Sequence, residues 1–368
     1  MIIAYDAKRA YHNRRGLGNY SRDLVRLMTE YAPENKYFLL NPSANKSINL
    51  PYEDSITQIM PRKLWKLVPA LWRSYGCISD LKHLQPTIYH GLSGELPYGI
   101  ENVDCIKIVT IHDAIFMRYP QQYSATYRKM FLHKCQYACQ VADVIVAISE
   151  QTKRDCITYF NADEKKIKVI YQGCNNQFRQ TISEDDRLAV IQKYGLPTDF
   201  ILYVGAIEPN KNLDNLIRAM HEAELDLPLV IMSMPSRYAD QILASAKQLN
   251  VSIDIHYDIP FSDFPAIYQQ AKAFCLLSFF EGFGIPVLEA VCSHTPVLAS
   301  NSSCLEETGG KAALYADPTD VDDIASQLNK IVNNNATRRM LNKASIGQAE
   351  LFTDQTIANN LIDLYEKC

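Results

Sequence analysis

No two of the ten cysteines in this chain are spaced C-x-x-C; they lie scattered at positions 77, 105, 135, 139, 156, 174, 275, 292, 304 and 368. That excludes a zinc ribbon and a dithiol redox motif and leaves mostly buried, reduced thiols as the expectation. No apolar run is long enough to cross a bilayer. The opening MIIAYDA reads as a buried first strand, too short for the core of a signal peptide, so the cytoplasm is the expected compartment. Neither sign of charge dominates: 37 Lys and Arg face 41 Asp and Glu, a formal charge of -4. There is thus no global field to hold nucleic acid, and any anion site must be built locally. Heptads and tandem repeats are also absent.

What is present is ordinary globular composition, 47% hydrophobic and 21% charged, over 368 residues. That length exceeds what one core usually supports, so two domains are expected. Short branched-residue runs (MIIAYDA, YFLL, TIYHG, CIKIVTIHD, DVIVAIS, IKVIYQG) alternate with amphipathic stretches such as NYSRDLVRLMTEYA. After a polar connector the pattern restarts with FILYVGA, LPLVIMS, VSIDIHYD, AFCLLS, TPVLAS and AALYAD. Alternation of this kind predicts α/β architecture with parallel sheets. The boundaries read as 1–178 and 179–350, with a terminal helix over 351–368. In such sheets ligands bind beyond the carboxyl ends of the strands, so those loops are where chemistry is sought.

Four loops stand out. NRRGLGNYSRDL places Gly16 and Gly18 just before a helix, where they either free backbone N–H groups for an anion or serve the turn. VTIHDAIFMRYP ends a strand on His112 and Asp113, a pair suited to a ligand, or a loop filler and a helix cap. YVGAIEPNKNLDNL offers Lys211 beside a helix start near Leu213, an unfavourable place for a cation unless an anion intervenes. In FFEGFGIPVLEA, Glu281 sits in a glycine-rich loop and Glu289 beyond Pro286, at what reads as the helix start. A ligand with hydroxyls at both ends and phosphates between them satisfies this set, and a nucleotide sugar has that layout. Asp320-Val321-Asp322, the one D-x-D match, reads as a helix cap with first-turn acids, so no metal site is expected.

These motifs, with TIYHGLSGELP, ADVIVAISEQTKRD and HTPVLASNSSCLEE, resemble the retaining glycosyltransferases of family 4 over nearly the whole chain. The most specific motif is Glu-x7-Glu enclosing E-G-F-G-x-P, and the pieces HGLSGELP and TIHDAIFMRYP look most like bacterial mannosyltransferases of surface polysaccharide synthesis. The resemblance implies the GT-B fold, two Rossmann-like domains facing across a cleft with the C-terminal helix returning to the first. It implies a nucleoside diphosphate sugar as co-substrate, GDP-mannose as the best guess, a glycan or lipid-linked acceptor, and no further cofactor. By residue, Glu281 would meet the donor sugar's hydroxyls, with N–H groups of Gly282, Phe283 and Gly284 beside it. Glu289 would accept from the ribose, while Lys211 and the Gly16 to Gly18 loop would lie against the diphosphate and His112 would face the transferred sugar. The chain departs from the family at Asn210, where arginine is usual before the lysine, at His294, where glycine is common, and in IMSMPSR, which lacks a strand-ending glycine. Arg14, Arg15 and Arg237 are the candidates to compensate. Rival readings are another GT-B enzyme such as a sugar-nucleotide epimerase, and an inactive nucleotide-sugar-binding relative.

One further segment, MPRKLWKLVPALWRSY at residues 60–75, holds both tryptophans, Trp65 and Trp72, among Arg62, Lys63, Lys66 and Arg73 with no acid. Basic residues interleaved with aromatics suit peripheral contact with an anionic membrane surface; packing of the tryptophans into the first domain's core is the alternative.

Overall fold

The computed structural model describes residues 1–44 and 48–368, the Lys63 side chain excepted. The chain forms two compact units, one of Met1–Gly173 together with Asp354–Cys368, the other of Cys174–Thr353. In the first unit a seven-stranded sheet runs β3-β2-β1-β4-β5-β6-β7, every pairing parallel. Its strands are β1 (Ile2–Asp6), β2 (Lys36–Leu40), β3 (Ile56–Ile59), β4 (Ile88–Gly91), β5 (Ile106–Ile111), β6 (Val144–Ala147) and β7 (Ile167–Val169). Both faces are covered, which is why these strands read as continuous apolar runs: Ile3, Ala4 and Tyr5 are all fully buried. The edge strands depart from this: β7 exposes Lys168, and β3, with the half-exposed or open residues ITQI, carries no apolar run and was missed by the sequence reading.

The helix Gly16–Tyr31 packs on this sheet through Leu24, Val25, Leu27 and Met28. The final helix, Asp354–Lys367, lies against it and belongs to the same core through Ile357, Leu361 and Tyr365. An ion pair of Arg26 with Asp354 at 2.9 Å holds its first turn.

The second unit repeats the plan with six parallel strands in the order β10-β9-β8-β11-β12-β13: β8 (Ile201–Val204), β9 (Leu229–Met232), β10 (Ile253–His256), β11 (Ala273–Leu276), β12 (Val297–Ser300) and β13 (Ala313–Ala316). The strand order reverses direction at β1/β4 in the first sheet and at β8/β11 in the second. Loops leaving neighbouring strands there diverge to opposite faces and open a crevice.

Residues 60–75 differ from expectation in part. Trp72 is buried and donates from Nε1 to Asp80 Oδ2 at 2.8 Å, and Arg73 turns inward to Asp6 and Glu95. The picture of both tryptophans facing outward is corrected: an indole N–H with a carboxylate in reach is held in the core. Trp65 is exposed. No helix of the described residues is long and apolar enough to cross a membrane.

Candidate active site

At the switch point of the second sheet, the loops after β8 and β11 bring Lys211 and Glu281 together. Pro209–Lys211 forms one tight turn, and Asn212 takes a left-handed conformation (φ 60°) that an asparagine tolerates, starting the helix Leu213–Glu222. Its amide Nδ2 donates to the carbonyls of Leu277 (3.1 Å) and Pro318 (2.7 Å), fastening one loop to the other. Lys211 Nζ then lies 2.6 Å from Glu281 Oε1, with less than a fifth of either side chain exposed. Ser278 Oγ donates to the same oxygen at 2.7 Å, and the Glu281 N–H donates to Ser303 Oγ at 3.1 Å. The two groups expected on a donor's phosphate and sugar therefore neutralise each other at one point. Ser278 and Ser303 escaped the sequence reading, although Ser278 ends the quoted AFCLLS; Ser303 lies 22 residues from its partner and gives no local signal.

The glycine-rich loop continues through Gly282 and Phe283 to Gly284, which precedes the helix Ile285–Cys292 with φ 87°. A Cβ at Gly284 would stand 2.4 Å from Leu305 Cδ2, so both backbone and space require glycine. The Phe283 ring is buried edge-on to Phe352, and its carbonyl accepts from Thr308 Oγ1. Pro286 is the second helical residue, and no side chain caps this N-terminus. Glu289 requires a correction. It is the fifth residue of the helix, not part of the first turn, and its side chain is buried, accepting from Tyr268 Oη at 2.9 Å. Burial raises its pKa to about 7, with the tyrosine hydrogen bond opposing. Tyr268, 21 residues away, is a contact that only the fold supplies.

Among the departures, Asn210 is buried and its carbonyl accepts from the Phe279 N–H at 2.9 Å, so this position joins the two loops instead of offering a cation. His294 has φ 55°, the left-handed region that explains why glycine suits this place, and its Nδ1 pairs with Ser345 Oγ at 2.7 Å. Arg237 stacks on Tyr238, while Arg14 and Arg15 are exposed. The Asp320 carboxylate accepts from the N–H groups of Asp322 and Asp323, the cap geometry expected of it.

In the first unit the two glycines divide their roles. A Cβ on Gly18 would fall 1.7 Å from the Asn13 carbonyl oxygen, so this glycine lets the helix Gly16–Tyr31 close on the preceding turn. Gly16 meets nothing within 4 Å and begins a helix that no side chain caps. His112, just past β5, lies edge-on to the Tyr20 ring (4.6 Å between centroids), and its Nε2 is 2.9 Å from the Leu92 carbonyl. Burial lowers its pKa to about 4, so the ring is neutral, donating from Nε2 and leaving Nδ1 as an acceptor. Asp113 accepts from the Ile115 N–H at 3.0 Å, a local turn before the helix Ile115–Arg118. Behind His112 runs a chain of hydrogen bonds: Tyr20 Oη to Thr110 Oγ1 (3.0 Å), Thr110 to His90 Nε2 (2.8 Å), and His90 Nδ1 to Tyr365 Oη (2.7 Å). Tyr20, Thr110, His90 and Tyr365 come from four separate elements, which sequence spacing does not reveal.

Two parallel α/β sheets, the second with a lysine and a glutamate gathered at its switch point, are the architecture of GT-B glycosyltransferases. Comparison bears this out: residues 16–178 match the family described as Glycosyltransferase Family 4, and residues 187–348 match Glycosyl transferases group 1. Between them these matches take in most of the chain, so each half carries a glycosyltransferase family domain and the chain is a glycosyltransferase. Among its relatives is the O-antigen chain mannosyltransferase B of Escherichia coli, 26% identical over 95% of this chain and 96% of the relative. The O-antigen chain mannosyltransferase RfbU of Salmonella typhimurium is 26% identical over 61% of this chain and 60% of its own. Among solved structures, sucrose-phosphate synthase from Thermosynechococcus elongatus superposes with a TM-score of 0.81 at 18% identity, over 100% of this chain and 98% of the other. HepE of Anabaena, solved with UDP and glucose, gives 0.77 at 16% identity, over 100% of both chains.

Proposed function

We propose that this glycosyltransferase moves mannose, with retention, from GDP-mannose to a hydroxyl of a glycan or lipid-linked glycan, met at the inner face of the membrane during surface polysaccharide synthesis. The observation that carries the reading is the Lys211–Glu281 pair at the β8/β11 switch point, 2.6 Å apart and three-quarters or more withdrawn from water. A donor with an anionic centre and a hydroxylated end separates the pair: Lys211 turns to the diphosphate and Glu281 accepts from the sugar. The relatives that are mannosyltransferases of O-antigen chains support the choice of sugar and product.

As the glycosidic bond breaks, positive charge grows at the anomeric carbon and negative charge on the departing phosphate. Lys211 and the uncapped helix N-terminus after Gly284 stabilise that phosphate. Beside it lie the backbone of Gly282 and Phe283, while Glu289 accepts from the ribose. His112, neutral, serves the transferred sugar through Nδ1, and the Gly16 N–H group adds to the anion's partners. The departing phosphate takes the acceptor's proton as the new bond forms on the same face. The reaction needs no metal and no cofactor beyond the nucleotide sugar.

A panel of nucleoside diphosphates and their mannose and glucose conjugates, read by thermal shift and product formation, tests this. A site filled at 100 times Kd adds about 2.7 kcal/mol of apparent stability. GDP-mannose is expected to shift the transition and to be consumed undiminished in excess chelator. Loss of transfer that magnesium restores would overturn the metal-free mechanism. Stabilisation without turnover would favour an inactive binder, the reading that the cation-free, buried Asn210 supports.

A further inference from the structure

Residues 64–75 expose a cluster of large apolar side chains with few equals elsewhere on the chain. Leu64 is 78% and Leu67 79% exposed, and Trp65, Val68, Leu71 and Tyr75 are all open to solvent as well. Single exposed leucines need no explanation, but six large apolar residues within twelve positions do. The surface is held in place. Arg73 bonds to Asp6 at 3.0 Å through Nε and to Glu95 at 2.8 Å through Nη1, and Trp72 is sunk in the core. Trp65 itself rests on Gly76, where a Cβ would come within 2.8 Å of its ring. The apolar residues therefore project from an anchored base.

The patch continues onto the helix Ala125–Val141. Tyr75 stacks on Tyr98 (5.1 Å between centroids), and Tyr98 lies 6.2 Å from His133 and 4.5 Å from Tyr137. Met130, His133 and Tyr137 share one face of that helix by their spacing, and Met130 is exposed. Charge is as one-sided as polarity. No acid occurs between residues 60 and 79 or between 123 and 142, whereas Arg62, Lys66 and Lys129 are exposed; the Lys63 side chain lies outside the described residues. The acid at the margin, Glu101, is taken by the Tyr137 hydroxyl at 2.7 Å.

We infer that this face, Leu64 to Tyr75 with Met130 and Lys129 beside it, docks the enzyme on an anionic lipid bilayer. Leucine, valine and tryptophan side chains enter the interface while the lysines and Arg62 meet the headgroups. A second copy of the chain is a poorer occupant, because joining two such faces sets cations against cations with no acid in either stretch to pair them. A chain whose net charge is -4 gains no attraction to an anionic surface from its bulk, so the local cations must supply it. The inference stands on this surface alone; it deepens the proposed reaction by bringing the enzyme to a lipid-linked acceptor.

The experiment is flotation of the whole protein with phosphatidylethanolamine vesicles containing phosphatidylglycerol, and with phosphatidylcholine vesicles. Binding is expected to the first, to weaken with salt, and to fall at least tenfold in Leu64→Ser with Leu67→Ser and in Lys66→Glu with Lys129→Glu. Unchanged thermal transitions in both variants show that the fold is kept. In Trp72→Phe, Trp65 is the sole tryptophan, and its emission should shift to the blue on adding phosphatidylglycerol vesicles. Absence from the lipid fraction, binding untouched by both double variants, or a Trp65 emission that vesicles leave unmoved would each overturn the proposal. So would a concentration-dependent dimer that shields Trp65 without lipid. Transfer to a water-soluble acceptor, assayed without vesicles, separates the outcomes: it persists in the surface variants if the proposed reaction is right, and fails in the wild type if that reaction is wrong.

Discussion

Lys211 and Glu281 face one another because two loops that are 70 residues apart in sequence leave adjacent strands. In the free protein each satisfies the other, so donor binding must exchange one charge-assisted contact for two. Glu281→Gln and Lys211→Ala are each expected to lower kcat/KM at least tenfold, about 1.4 kcal/mol of transition-state stabilisation. The double variant should lose less than the sum, since the pair acts as a unit. Wild-type turnover in either single variant would remove this pair from the mechanism. His112 makes a separate prediction. With its pKa held near 4 by burial, it is already neutral where an ordinary histidine titrates. The pH profile of kcat/KM should therefore carry no limb near pH 6.5 that vanishes in His112→Gln, while transfer itself falls in that variant.

At the scale of elements, the helix Gly16–Tyr31 and the turn before it show how one short motif holds two different requirements. Any side chain at Gly18 collides with backbone, the Asn13 carbonyl, which cannot swing aside as a side chain would. Gly18→Ala should destabilise the first unit by roughly 1–3 kcal/mol in chemical denaturation. Gly16→Ala meets open space and should leave stability within about 0.5 kcal/mol while weakening donor affinity, because only the approach to the helix N-terminus is obstructed. Equal loss of stability in both would show that the G-x-G motif is wholly structural. The helix Ile285–Cys292 teaches a related lesson. Its start was legible from Pro286 and the glycines, but the depth of Glu289 was not, because the helix begins one residue before the proline and the side chain is buried against Tyr268, a partner from another element.

At the scale of the molecule, the two units should answer acid in opposite directions. Glu289 has a raised folded pKa, so its contribution is complete below about pH 4.5 and lost as pH rises through about 7, at most about 3 kcal/mol. His90 and His112 are depressed by burial, to about 3 and about 4, so their contribution is complete above pH 6.5 and lost as pH falls. Between pH 7 and pH 5, these groups favour the second unit and disfavour the first. Both tryptophans lie in the first unit, so their fluorescence reports its unfolding alone, and calorimetry reports both. The tryptophan transition should move down in temperature on acidification. A second calorimetric transition should hold or rise, and Glu289→Gln should flatten that dependence.

Among the described residues twelve of the thirteen strands could be read directly, the central ones because a parallel sheet covered on both faces demands unbroken apolar runs. So could the loops that carry chemistry, since glycine, proline and charge interrupt those runs at strand ends. Their partners could not. Tyr268 under Glu289, Ser303 on the Glu281 N–H, and the relay from Tyr20 through Thr110 and His90 to Tyr365 all join residues whose separation in sequence has no fixed relation to their distance in space. The two tryptophans of residues 60–75 make the division plain: composition placed both in a basic, acid-free segment, but only the packing of Asp80 against Trp72 decided that one indole is core and the other surface. Local order follows from periodicity and backbone preference, which a chain carries along its length; burial and pairing depend on which elements the sheet topology makes neighbours.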